Sequence, residues 1–179
     1  RATQNLVAVS ALLRETAINT EQTLSTSMLV EMTDVADVTD RRENNANELT
    51  GKEEPDTIYD LGRVAQMGMT FNKAQPQHFA FLLGYGLGEV ATGPAGTTGY
   101  RHTIRPRSGE VDVARSNPSF TAAMRFGRQV LKRRFASCFI DQIRMDFARD
   151  GWAKLNGTVK GSGKVVDNTQ VETVAAAYN

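Results

Sequence analysis

Cysteine is almost absent from this chain, and so is every residue set that usually marks a catalytic or metal site. Cys138 is the single cysteine among 179 residues, so no internal disulfide can form and no oxidising compartment is required. It lies between Ser137 and Phe139 in an apolar run, the setting of a small buried hydrophobe. No apolar run is long enough to cross a membrane as a helix, and no charged start followed by an apolar stretch marks a signal peptide. There are two histidines, His78 and His102. Neither stands near a cysteine or a spaced carboxylate pair, whereas zinc needs three or four convergent ligands. No metal and no cofactor are expected.

Charge of one sign is lacking too. Lys and Arg number 21 against 20 Asp and Glu, a formal net charge of +1. Dedicated nucleic-acid binding draws its affinity from a concentrated basic surface, which this balance argues against. Lys132-Arg133-Arg134 is the one tight basic cluster and reads as a solvated strand or loop edge. No nucleophile elbow of the G-x-S-x-G form occurs; the nearest Ser-Gly pair, Ser108-Gly109, follows Pro106 in a turn. The glycines of Gly84-Tyr85-Gly86-Leu87-Gly88 follow a helix instead of joining a strand to one. Gly161-Ser162-Gly163-Lys164 resembles a phosphate loop, but Val165 stands where Ser or Thr would hold magnesium. No catalytic residue emerges, and the expectation is that the chain is not an enzyme.

What is present is alternation. In Leu61–Phe71, Ala65, Met67, Met69 and Phe71 share one face and Val64, Gln66, Gly68 and Thr70 the other, a half-buried strand. Met28–Val38 alternates in the same way, and Asn5–Leu13 fits a strand or a short helix. Further strands are expected at Tyr100–Ile104, at Phe120–Phe126, and over Val130–Ala148 with a bend or bulge near Ser137. One segment switches to helical spacing, about residues 76–86. Phe79, Leu82, Leu83 and Leu87 form its apolar stripe, extended by Phe81 and Tyr85, with Pro76 in the first turn and glycines at the end. This helix should cover the sheet. Val90–Gly99 reads as a Gly/Thr/Pro loop.

Two connections can be argued further. A loop of Arg149-Asp150-Gly151 sets Phe147 opposite Ala153 and Met145 opposite Leu155, which keeps one face apolar; a loop of Asp150-Gly151 alone does not. Gly151 is then expected at positive φ. Asp40–Asp60 is dense in charge, Asn, Gly and Pro, with almost nothing to bury. It reads as a long charged loop, about residues 40–60, and loops of that length inside a domain are usually functional or disordered.

Three blocks in order resemble the tail tube proteins of tailed bacteriophages, the major tail proteins. They are SALLRETAINTEQT; FAFLLGYGLGEV followed by GTTGYRHTIRP; and SNPSFTAAMRFG followed by KRRFASCFIDQIRMDFARDGWAKLNGTVKGSGK. The likeness runs from Asn5 to Lys164. It implies a mainly β fold, a β-sandwich or partly closed barrel flanked by one short helix, over residues 1–164. Residues 165–179 would be a linker or the start of a C-terminal extension. It also implies a structural subunit of the virion tail, assembled in the bacterial host cytoplasm as stacked, hexameric rings that form the channel for genome delivery. The expected partners are copies of itself and other tail proteins (tape measure, terminator, baseplate or tip), with genomic DNA passing through unbound and no membrane. Under this resemblance Arg41, Arg42, Glu43, Glu48, Lys52, Glu53 and Glu54 are candidates for contact with the next ring. Arg14, Glu15 and Thr16 are candidates in an N-terminal arm. Two alternatives remain open: another virion ring component (terminator, connector or capsid decoration protein), or a carbohydrate-binding β module centred on Trp152, the one tryptophan.

Overall fold

A computed structural model describes residues 5–10, 15–22, 27–29, 37–46, 48, 51, 54–106, 118–126 and 131–167. The expectations for Arg14, Lys52, Glu53 and residues 168–179, and for the middle of the Met28–Val38 strand, lie outside them.

The described chain is mainly β. Its elements run β1 (Asn5–Ser10), β2 (Ser27–Leu29), β3 (Asp37–Asn44), β4 (Ile58–Phe71), α1 (Pro76–Leu87), β5 (Gly88–Ala95), β6 (Gly99–Pro106), β7 (Phe120–Phe126), β8 (Leu131–Asp146), β9 (Lys154–Gly161) and β10 (Val165–Asp167). One antiparallel sheet has the order β2-β1-β7-β8-β9-β4-β3, with β10 also beside β8; β5 and β6 form a separate two-stranded ribbon. The end strands β2 and β3 do not pair, so the large sheet stays open instead of closing into a barrel. It extends to Asp167, three residues past the boundary expected at Lys164.

The core follows the alternation. Ala65, Met67, Met69 and Phe71 on β4 are all buried, as are Leu155 and Val159 on β9 and Phe120, Ala122 and Met124 on β7. Helix α1 covers this face. Phe81 and Tyr85 meet Phe120 at 5.1 and 5.0 Å between ring centres, both edge-on, the arrangement the ring quadrupoles favour. Leu82 descends onto Gly157, where a Cβ would lie 2.9 Å from Leu82 Cδ2. Each of these large apolar side chains contributes roughly 1.5–3 kcal/mol on burial. The buried stripe of the helix is His78, Phe81, Leu82 and Tyr85. That corrects the expected stripe: Leu82 is its centre, while Phe79, Leu83 and Leu87 are half-buried along its flank. His78 belongs to the stripe because its ring stacks on Phe71 (4.3 Å) and its Nδ1 accepts the Gln75 backbone N–H at 3.2 Å.

Three other expectations change. Val90–Gly99 is not simply a loop. Gly88–Ala95 is a strand in full register with Gly99–Pro106, its composition masking it because the ribbon is exposed and has no apolar face to declare. The charged excursion is not a loop throughout 40–60: Asp40–Asn44 and Ile58–Asp60 are strand, paired through Arg42↔Asp60 and Asn44↔Ile58. The β8–β9 register is as argued, Met145 opposite Leu155, but the ladder stops at Asp146↔Lys154. Gly151 is not at positive φ. The connection from Phe147 to Ala153 is wider than a tight hairpin loop and does not need the left-handed residue.

Strand β8 is broken twice. Opposite β7 the pairs Ala122↔Phe135 and Phe120↔Cys138 leave one extra residue in β8, and Ser137 sits there at φ 49°. Opposite β9 the pairs Ile140↔Val159 and Gln142↔Thr158 leave a second, Asp141. Each extra residue resets which side chains face inward, and so Phe135 and Cys138 are both buried despite their spacing. Burial pushes the Cys138 thiol up to about 12, with the Glu15 charge adding to it. The expected result is no reaction with a thiol reagent in the native protein at about pH 8, and one equivalent after unfolding. Rapid native labelling would contradict the packing.

Candidate functional site

Two features of the surface are built beyond what the core requires. The first is the outer half of the β3–β4 hairpin. Beyond Val64 every β4 residue back to Ile58 is exposed, as are Thr39–Asn44 on β3, so the hairpin leaves the body as a ribbon wet on both faces. The departure point is a bulge. Between Arg42↔Asp60 and Asp40↔Arg63 strand β4 has one extra residue. Gly62 lies there at φ 90°, its N–H donated to Asp60 Oδ1 at 2.9 Å. A glycine in left-handed conformation is what such a bulge favours, and the added twist turns the ribbon away from the sheet. Arg63 and Asp40 pair across it at 2.6 Å, a solvated contact worth little.

The tip is knit by Asn45, which is buried. Its Oδ1 accepts the N–H groups of Asp56 (3.1 Å) and Thr57 (3.3 Å), and its Nδ2 donates to Asp56 Oδ1 (2.8 Å). Tyr59 donates its hydroxyl to Glu48 Oε2 at 2.9 Å, and that bond holds its phenol above the usual pKa. Arg41, Arg42, Glu43, Glu48 and Glu54 all lie exposed on this ribbon or its tip. The apolar members were missed. Ile58 (71% exposed), Tyr59 (41%) and Leu61 (59%) sit among the charges, left largely uncovered by the described residues. The signal was available as Ile58-Tyr59-Asp60-Leu61, an apolar cluster placed before the core alternation begins.

The second feature is the segment Glu15–Gln22, here called the strap, an irregular stretch lying across β7 and β8. Glu15 was expected to reach a neighbouring subunit. Instead its carboxylate is held within its own chain. Oε1 accepts the Thr121 hydroxyl and the Ser137 N–H, both at 2.8 Å; Oε2 accepts the hydroxyls of Ser119 (2.8 Å) and Ser137 (2.7 Å). The same hydroxyls accept in turn. Asn19 N–H donates to Ser137 Oγ at 2.7 Å and Gln22 N–H to Thr121 Oγ1 at 2.9 Å. At the far end Lys164 Nζ donates to the Asn19 carbonyl (2.6 Å) and to Glu21 (3.0 Å), and Ser162 bonds Asn19 Oδ1. Thr16, the other described arm candidate, is exposed and free to touch a neighbour.

The Lys164 hydrogen bond, helped by the Glu21 backbone amide, holds the Glu21 carboxyl below its ordinary value. A depressed pKa stabilises the folded state above the unfolded value, and that contribution is lost as pH falls through the folded one. The stability gap between wild type and Glu21→Gln, at most about 1 kcal/mol for a partly solvated pair, should therefore be full at about pH 6 and shrink steadily as pH falls below about 4. Urea unfolding at a series of pH values checks this; a gap independent of pH would mean the pair does not form.

Aromatic side chains are also uncovered at the β8–β9 turn: Phe147 is 71% and Trp152 62% exposed, with Phe79 stacked 6.2 Å from Phe147. His102 is exposed on β6, its Nδ1 2.9 Å from Thr92 Oγ1. No protein-family model matches this chain, and no curated protein matches it.

Proposed function

We propose that the chain is a structural subunit that assembles with copies of itself, as the resemblance to phage tail tube proteins implies, into rings stacked as a tail tube. The observation that supports this best is the β3–β4 ribbon. A two-stranded ribbon wet on both faces is marginal in water by itself. In this one Asn45 is bonded to Asp56 and Thr57 across the ribbon, and Ile58, Tyr59 and Leu61 are carried beyond the body, which suits a surface that becomes buried in a contact between subunits. Interspersed charges of both signs (Arg41, Arg42, Glu43, Glu48) would fix the orientation of such a contact more than its strength. The same interface repeated on every copy closes into a ring where the rotation permits.

Negative-stain microscopy of the purified chain at high concentration tests the reading, expected to reveal rings or tubes. Ile58→Asp combined with Leu61→Asp should leave far-UV circular dichroism unchanged, since both sites are exposed, and abolish the particles. Wild-type protein that stays monomeric in the presence of tail proteins would overturn it. A single-ring virion component would give isolated rings without tubes. The exposed Trp152 keeps a carbohydrate-binding module as a second reading; glycan binding that disappears with Trp152→Ala would favour it.

A further inference from the structure

The break in β8 raises a problem that the strap solves. A bulged residue drops out of the ladder, so its N–H loses its strand partner. Ser137 is such a residue, it is fully buried, and a buried N–H cannot be left unpaired without loss of stability. Its non-glycine side chain at φ 49° adds backbone strain. The N–H goes to Glu15 Oε1, and the Ser137 hydroxyl goes to Oε2 of the same carboxylate. The residue that lets Phe135 and Cys138 both face the core is thus held by a group 122 positions away.

The seat under Glu15 consists of small polar residues. Ser119, Thr121 and Ser137, all three buried residues, present three hydroxyls and one N–H to a single point. Four donors converging on two oxygens match a carboxylate and no neutral side chain, because only an ionised carboxylate is acceptor-only at both atoms. The strap's other bonds run through the same hydroxyls, so the seat and the strap share their acceptors. All nine of the strap contacts described above are polar, so its departure would expose little of the apolar core.

We propose that the Ser119–Thr121–Ser137 seat is a carboxylate receptor whose occupancy sets the break in β8. With a carboxylate in place the strap docks and Ser137 keeps its left-handed backbone; without one, both are lost together while the remaining sheet persists. Glu15 is the occupant in this chain, and a free carboxylate of small size fits the same four donors.

The test uses the full chain with Glu15→Ala and residue-resolved amide hydrogen exchange. Exchange at Ser137, Asn19 and Gln22 should rise together by at least about tenfold, the scale of losing charge-assisted hydrogen bonds. Amides of Met69 and Leu155, on β4 and β9, should keep wild-type protection. Sodium acetate should restore protection at Ser137 in Glu15→Ala, whereas sodium chloride at equal ionic strength should not. Glu15→Gln should be loosened but insensitive to acetate, because its amide fills the seat and sets an NH2 against donors. Three results would overturn the proposal. Ser137 could keep its protection while Asn19 and Gln22 lose theirs; acetate could act no better than chloride; or protection could vanish across all strands at once.

Discussion

Phe120→Ala is expected to lower the unfolding free energy by about 3–5 kcal/mol, a large share of the ~5–15 kcal/mol available to a domain. Phe120 is fully buried in the middle strand-to-helix contact, meeting Phe81 at 72° and Tyr85 at 65°. Alanine would remove the ring and leave a hole. The two neighbouring rings ride on a helix tied at its start by His78 and at its end by Gly88, whose N–H bonds Gly84, so they have little freedom to collapse into the space. Phe147→Ala supplies the contrast. That ring is mostly exposed, and its loss should change stability by no more than about 0.5 kcal/mol. Urea unfolding followed by far-UV circular dichroism compares them. Equal costs would mean that α1 does not sit on β7.

Gly163→Ala should come next in effect, and Gly62→Ala separates its two causes. Both glycines have positive φ, 85° and 90°. An alanine forced into left-handed backbone costs roughly 1–2 kcal/mol at either site. At Gly62 nothing lies within 4 Å of the added methyl group. At Gly163 the methyl would sit 2.6 Å from the Arg63 carbonyl oxygen and 2.7 Å from its Cβ. Backbone cannot swing aside as a side-chain tip can, so the connection between β9 and β10 would have to pull away from β4. Gly163→Ala should therefore exceed Gly62→Ala by more than the ~0.5 kcal/mol scatter between independent sites. A match between the two would remove the close approach of Gly163 to β4.

The parts of the fold that were legible in the sequence are those with one wet face and one dry face. The Ala65-Met67-Met69-Phe71 alternation located β4 and its buried side because water and core act on alternate residues. The apolar series Phe135, Cys138, Ile140, Ile143, Met145 carries two three-residue steps inside a period of two, and the breaks in β8 fall at both. The register of β8 on β9 followed from burial alone. Where both faces are wet the same signal is missing. That is why the ribbon strands Asp40–Asn44 and Gly88–Ala95 looked like loops. The helix stripe was displaced because Phe79 and Leu87 are as apolar as Phe81 and Tyr85; only the position of Phe120 and Gly157 beneath decides which set is covered. The Glu15 seat was not legible at all. Its donors are serines and a threonine 104 to 122 positions away, and such residues look the same in sequence whether they line a buried seat or a solvated edge.

The placement of β1 and the strap has a consequence for how the polypeptide emerges from the ribosome. Asn5 pairs with Phe126, and the strap's bonds join residues 99 to 145 positions apart. At about 5–20 residues per second, the opening strand waits on the order of 6–24 s for β7 to exist. During that interval β1 can pair only with β2, and the edge that β7 will take has no native partner; it is open to a holding chaperone or to the nascent strand of a neighbouring polysome. Translation speed across the segment before Phe120, rather than equilibrium stability, would then set how much of the product reaches its final form.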